Sequence, residues 1–319
     1  MSTEKLKEII KKVLPEAGTV ISWQEGFDKL HNTPIFIKDA SQADKTVWNP
    51  LCEQNLAAYL PSMKNVKGKI AVVVKGCDSR TIVQYMQEGL IDRNNVVIIG
   101  IPCKGVVSVK KVIRAINQQP VDEVKFSGDN TIVKTPKGEK TLSLSDVCPD
   151  KCKSCQYPTP VIYDHLVGEA IKSDKPADSV YAGVKEFEAK SLEERKAYFA
   201  KEFDKCIRCY ACRNACPMCV CQDSCIAETR DPHWITQKMS SEEKMMFHMI
   251  HAVHLAGRCV ECGECERVCP MDIPVAKLKK KINSGMKELY DYVPGVNPED
   301  KPPMYTFKVE EATIKEHKL

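Results

Sequence analysis

The chain has 319 residues, 43% of them apolar and 28% charged, with a formal net charge of +4. That length supports more than one core, and so small a charge gives no basis for binding nucleic acid or an anionic membrane surface. No run of about 18 apolar residues is present to form a transmembrane helix.

Residues 1–65 read as mainly helical and polar, broken at Pro15, Pro34, Pro50 and Pro61. The start, Met1 to Lys12, alternates charge with apolar residues at helical spacing and lacks the apolar core of a signal peptide, so a reducing cytoplasm is expected. Residues 69–75 (KIAVVVK) form an apolar run typical of a strand buried on both faces. Gly76-Cys77-Asp78-Ser79-Arg80 follows, then a helical stretch from Thr81 to Glu88 ended by Gly89. A second such strand, 96–101, runs into Pro102-Cys103-Lys104-Gly105 and a helical stretch from Val106 to Asn117. This strand–helix alternation predicts a parallel sheet with right-handed crossovers. Residues 121–145 read as short strands with turns at Gly128-Asp129 and Lys137-Gly138.

The expected fold is an α/β N-terminal domain with a mostly parallel sheet (1–170), followed by an α+β two-cluster ferredoxin-like domain (201–290). A charged linker over 171–200 joins them. A tail (291–319), with prolines at 294, 298, 302 and 303, is expected to lie over a surface or a partner.

Seventeen cysteines are far more than a chain of this size needs, and in a reducing compartment clustered thiolates signal metal. Two strings carry the strongest signal: Cys206-x-x-Cys209-x-x-Cys212-x-x-x-Cys216-Pro217 and Cys259-x-x-Cys262-x-x-Cys265-x-x-x-Cys269-Pro270. This is two-cluster ferredoxin spacing, written twice, in which the fourth cysteine of each string ligates the other cluster. Cys206, Cys209, Cys212 and Cys269 are therefore assigned to one [4Fe–4S] cluster, and Cys259, Cys262, Cys265 and Cys216 to the other. Structural zinc uses four-ligand sets of paired cysteines or histidines, not such strings.

Between the strings, Ser240 and Glu243 form a capping box that starts a helix ending near Gly257. Its apolar stripe, Met245, Met246, Met249, Ile250 and Val253, is expected in the core. His248, His251 and His254 on the same helix read as a mixed surface and interface row rather than as cluster neighbours. Cys219, Cys221 and Cys225 exceed what a two-cluster ferredoxin needs; a further metal role and free thiols both remain open. Cys148, Cys152 and Cys155 need one more ligand for a third [4Fe–4S] cluster. Cys103 and Cys77 are the candidates, both at strand ends where loops converge on a cofactor crevice, and Cys103 is preferred. A zinc site or loose thiols is the blander alternative.

GCDSR (76–80) and GIPC (100–103) resemble the β subunits of deazaflavin-reducing hydrogenase and deazaflavin-linked formate dehydrogenase. The segment from Cys152-x-x-Cys155 through Asp164 to Gly168 is similar to the same family, and Cys206 to Cys221 is similar to its formate dehydrogenase branch. The resemblance covers most of residues 65–285. It implies an oxidoreductase subunit with FAD beside a [4Fe–4S] cluster, the flavin exchanging a hydride with the deazaflavin. Gly76 permits close backbone approach, Asp78 or Ser79 can cap a helix whose N-terminus favours phosphate, Arg80 can pair with a pyrophosphate, and Gly100 and Lys104 can serve the second strand end. Equally, Asp78 and Ser79 can be caps alone and Arg80 a surface ion pair; there is no GxGxxG fingerprint.

The function expected is a flavin-containing iron–sulfur electron-transfer subunit of an anaerobic oxidoreductase complex. Its partners would be a formate dehydrogenase or hydrogenase catalytic subunit and a heterodisulfide-reductase-like acceptor. The alternative is a pure [4Fe–4S] electron-transfer subunit without flavin. A cluster-based regulator would need a DNA-reading helix, and the Lys277–Lys281 charge run reads instead as a solvated helix face or an acidic-partner site.

Overall fold

The computed structural model describes residues 3–66, 68–221, 224–228 and 234–307, so the end of the tail lies outside the described residues. A helix α1 (Thr3–Ala17) leads into strands β1 (Thr19–Glu25) and β2 (Asn32–Ile37), then β3 (Ile70–Val74), α2 (Gly76–Gln87), β4 (Val96–Gly100) and α3 (Val109–Ala115). Strands β5 (Glu123–Ser127), β6 (Asn130–Thr135) and β7 (Gly138–Ser143) form a separate antiparallel sheet, turning where expected. Short helices α4 (Leu144–Val147) and α5 (Asp150–Lys153) and a two-residue strand β8 (His165–Leu166) follow.

The main sheet has the order β2-β1-β3-β4-β8, with all pairings parallel except β1–β2. Strands β3 and β4 are buried at every position, which is why they read as unbroken apolar runs. The expectation of helix over 1–65 fails at β1 and β2. Strand β1 is buried through its first five residues, so it lacks the alternation that marks a half-exposed strand. Pro34 is tolerated in β2 because that strand is an edge.

Helix α2 starts five residues earlier than expected, directly at Gly76, so Cys77, Asp78, Ser79 and Arg80 are all in its first turns. The stretch read as a linker carries α6 (Ala182–Glu188) and α7 (Leu192–Asp204), the latter with Ser191 as N-cap in a capping box. Helix α7 packs against α9 (Ser241–Val253) and buries Phe203. The remaining helices are α8 (Ala211–Asn214), α10 (Glu264–Val268) and α11 (Val275–Tyr290). Among the described residues the cysteine module contains no β-strand, so the α+β expectation for it is corrected to helical. No helix of the described residues is long and apolar enough to cross a membrane.

Helix α9 starts at Ser240 as expected, the Ser240 side chain accepting from Glu243 N–H. Only part of its expected apolar stripe reaches the core, Met245 and Ile250 packing against it. Met246, Met249 and Val253 are 53%, 42% and 56% exposed, while Lys244, Phe247, His248 and His251 are buried. His248 stacks on Phe203 of α7 at 4.2 Å between ring centroids. The tail lies over α2, with Tyr292 buried and the Asn297 and Asp300 carbonyls accepting from Gln87 Nε2.

Candidate iron–sulfur sites and cofactor cavity

The two cysteine strings fold alike. In each, the residues two and four positions after the first cysteine have positive φ: Arg208 and Tyr210 in one, Glu261 and Gly263 in the other. Each second bend caps a short helix, α8 or α10, which carries the third cysteine, and the two helices pack together. Cys206, Cys209, Cys212 and Cys269 line one small cleft with Ile207, Phe247 and Met271. Backbone N–H groups of Arg208 and Ile273 donate to the Cys206 and Cys269 sulfurs at 3.3 and 3.4 Å. Cys216 is the electrostatic neighbour shared by Cys259, Cys262 and Cys265. Both crossed groupings expected from the spacing are thus brought together.

Burial pushes the Cys212 and Cys262 thiols up to about 12 and Cys265 to about 11. All seventeen cysteines are free of disulfides. Buried thiols set side by side resist ionising until a cation takes up their charge, and this is the donor chemistry of a thiolate-ligated iron–sulfur cluster.

A cavity of about 1140 Å³ opens between the α/β region and the cysteine module. Cys77, Cys103, Cys148, Cys152 and Cys155 all line it. Cys103, pushed up to about 12 by burial, has Cys152 and Cys155 as electrostatic neighbours, and Cys77 has Cys103. Cys148 is an electrostatic neighbour of Cys152, but its own Sγ–H donates to the Ser145 carbonyl at 3.7 Å, and Lys111 and Lys153 act on it more strongly than any sulfur.

Of the six residues expected to serve a flavin, Gly76, Arg80 and Lys104 line this cavity; Asp78, Ser79 and Gly100 do not. Asp78 is fully buried in an ion pair with Lys75 at 2.8 Å and accepts from Lys75 N–H at 3.1 Å. Ser79 Oγ donates to Gly76 O and accepts from Val161 N–H. Arg80 donates through Nε and Nη2 to Pro294 O, at 3.2 and 2.9 Å, and lies over the Tyr157 ring. A Cβ on Gly76 would stand 1.7 Å from Tyr157 O, so this glycine admits the 157–160 segment rather than a phosphate. Gly100 likewise makes room for Pro160 and Tyr163. The cavity is nevertheless strongly basic, with eight Lys or Arg side chains on its wall against three acidic ones.

The sequence reading missed two lysines. Lys151 of α5, half-buried, donates Nζ to the Cys262 carbonyl and has Cys77 and Cys152 as neighbours, so it bridges the cavity cysteines and the second string. Lys279 of α11 is 2% exposed, although it belongs to the charge run read as a solvated face. Its signal is the line Val275, Lys279, Asn283, one buried face at helical spacing. The rest of the run is engaged as well: Lys277 over Phe187 and Tyr198, Lys280 on Ser154 Oγ, Lys281 paired with Glu188.

Two bends that gather cysteines, joined to an α/β sheet whose strand ends gather more, define an iron–sulfur electron-transfer protein. Residues 205–273 match the family model for a 4Fe-4S dicluster domain. Residues 67–189 match the Coenzyme F420 hydrogenase/dehydrogenase family model for the C terminus of the beta subunit; the chain carries that β-subunit domain followed by a dicluster domain, as the resemblance implied. It is 24% identical to the F420-dependent formate dehydrogenase subunit beta of Methanocaldococcus jannaschii, over 96% of this chain and 94% of the relative. It is 26% identical to the F420-dependent formate dehydrogenase 1 subunit beta of Methanococcus maripaludis, over 89% and 87%. These relatives are subunits of an oxidoreductase complex. A chain of the F420-reducing [NiFe] hydrogenase complex from Methanosarcina barkeri superposes with a TM-score of 0.38 at 17% identity, covering 48% of this chain and 58% of that one, a likeness too slight to bear on the fold.

Proposed function

We propose that this chain is the flavin-containing electron-transfer subunit of an anaerobic oxidoreductase. It would take a hydride from a reduced deazaflavin or an equivalent donor and pass single electrons to its dicluster module. The observation that carries this reading is one place in the structure: a cysteine nest opening onto a large basic cavity, with Lys151 linking that nest to Cys262. The volume suits a dinucleotide with a cluster beside it, being somewhat larger than an ordinary ligand cavity. FAD would supply the conversion between two-electron and one-electron chemistry.

The chain's own residues would do the rest. Lys104, Lys153 and Lys172 line the cavity wall and can hold a pyrophosphate. Cys77, Cys103, Cys152 and Cys155 would hold a third [4Fe–4S] cluster, with Cys148 left out because it faces Ser145 and two lysines. Cys216 with Cys259, Cys262 and Cys265 would hold the next cluster, and Cys206, Cys209, Cys212 and Cys269 the last. Cys209 is exposed, which makes this last cleft the exit to a partner such as a heterodisulfide-reductase-like subunit. A formate dehydrogenase or hydrogenase catalytic subunit is the partner on the donor side.

Anaerobic purification with iron, sulfide and flavin measured per chain tests this. About twelve irons and one flavin are expected, at about four irons per cubane. Cys77→Ser should bring iron towards about eight, while Cys148→Ser should leave it unchanged. About eight irons in the unaltered protein would remove the third cluster, and no flavin after reconstitution would leave a pure electron-transfer subunit instead.

A further inference from the structure

Lys279 is a cation placed where water does not reach. It projects from α11 into the cysteine module, 2% exposed, and its Nζ lies 3.2 Å from His251 Nε2 of α9. An ammonium offers only donors, so Nε2 accepts and the ring proton sits on Nδ1. That Nδ1 has no other hydrogen-bond partner, although the ring is buried. The ligating atoms of His251, Cys216 and Cys219 all lie within 4.8 Å of one another. The imidazole is therefore next to the two sulfurs. Cys265, Cys216, Cys259 and Cys219 are the sulfurs facing the Lys279 charge. In the other group Cys212 also has Lys279 as its foremost charged neighbour.

We propose that Lys279 and His251 form a relay that raises the reduction potential of the cluster on Cys259, Cys262, Cys265 and Cys216, the imidazole beside Cys216 holding the buried ammonium in place. The inference rests on the assignment of Cys216 to that cluster. Reduction adds an electron to a cluster that is already anionic. A fixed positive charge favours the reduced form, and burial removes the water that would screen it. Both residues are positioning groups; neither carries the electron. The relay would make this cluster a better acceptor for electrons arriving past Lys151, which sits at the same cluster's Cys262.

The test uses the full chain, purified anaerobically with its clusters, and a potentiometric titration followed by electron paramagnetic resonance. Lys279→Met removes the charge and keeps an unbranched apolar stem. It should leave iron unchanged and shift the oxidised-to-reduced ratio of one cluster about tenfold at fixed potential, which is about 59 mV downwards for one electron. The other cluster should move less. His251→Gln, which retains an N–H, should shift the same cluster in the same direction by a smaller amount, and it decides the matter if Lys279→Met loses iron. Unchanged potentials in an iron-replete variant would overturn the proposal. So would stoichiometric zinc on Cys216, Cys219 and His251. Cys216→Ser separates the two levels of inference: if it retains all the iron, the ligand assignment is wrong; if it loses about four irons while Lys279→Met moves nothing, the assignment stands and the relay fails.

Discussion

Arg208 and Glu261 hold the same place in two copies of one loop, each two residues beyond the first cysteine of its string and each with positive φ, 50° and 56°. Two residues later Tyr210 (φ 60°) and Gly263 (φ 74°) repeat the correspondence. Three of these four positions hold side chains in a conformation that costs each of them about 1–2 kcal/mol. The bends persist because they turn successive cysteines towards one point. The copies differ where they meet the rest of the protein. A Cβ on Gly263 would lie 2.8 Å from Lys151 Cδ.

Gly263→Ala should therefore cost about 1–2 kcal/mol from backbone strain alone, and it should also push Lys151 off the Cys262 carbonyl. Denaturant unfolding under anaerobic conditions reads the first effect. The second appears as slower reduction of the dicluster module by way of the cavity, with the iron content unchanged. Reduction at the unaltered rate would mean that the Lys151 bridge has no part in electron passage.

Arg80 separates two roles for one side chain. Its guanidinium is already engaged by Pro294 O and the Tyr157 ring, and a Cβ on Gly295 would lie 2.1 Å from its carbonyl. The tail is thus stapled to α2. Arg80→Lys, which cannot reproduce the two-pronged donation, should lower stability by about 2 kcal/mol and make the chain beyond Pro294 several-fold more sensitive to protease. The flavin proposed for the cavity should remain bound. Loss of flavin with the tail still protected would restore the phosphate role suggested by the sequence.

Some of this architecture is written in local patterns and some is not. Strands β3 and β4 are legible because burial on both faces leaves unbroken valine and isoleucine runs, and the cysteine strings are legible because the spacing is itself the chemistry. Strand β1 is illegible because near-complete burial removes alternation while Trp23, Gln24 and Glu25 dilute the apolar run. Helix α9 carries two stripes of helical period. Hydrophobicity alone selects Met246, Met249 and Val253 along with Met245 and Ile250, yet only the last two pack against the core, beside the buried Phe247, His248 and His251. Burial then drives His248 down to about 3, so it is a neutral core ring. Lys151 and Lys279 stay hidden because a lysine reads as solvated unless its partners are known, and theirs are far apart in sequence.

The junction between α2 and the cysteine module rests on Glu88. Its carboxylate, 2% exposed, accepts from Arg258 Nε at 2.9 Å and Nη2 at 2.5 Å. Arg258→Met would leave that charge buried with only Gln84 Nε2 to serve it and should cost about 3 kcal/mol. Adding Glu88→Gln should recover more than half of the loss, because the cost lies in the stranded charge. Equal losses in the single and double variants, measured by urea unfolding, would place the energy in packing instead.

Glu53 gives the pH dependence a definite sign. It is 8% exposed, and burial holds its carboxyl above the ordinary value of 4.5 despite the opposing charges of Lys151, Arg267 and Lys110; Glu264 adds to the rise. A carboxyl with a raised folded-state pKa binds its proton more tightly in the folded chain. Its contribution is therefore fully present below the unfolded value and is lost as pH rises through the folded one. Glu53→Gln keeps the shape and removes the titration. The variant should be more stable than the parent at neutral pH, and the difference should shrink to nothing by about pH 4. Glu266, raised by burial in the same direction, leaves a residual slope in both proteins, so the comparison of the two isolates Glu53. Urea midpoints measured across that range under argon decide it: a pH-independent difference would show that Glu53 acts by packing, and a less stable variant at neutral pH would show that its attraction to Lys151, Arg267 and Lys110 outweighs its burial.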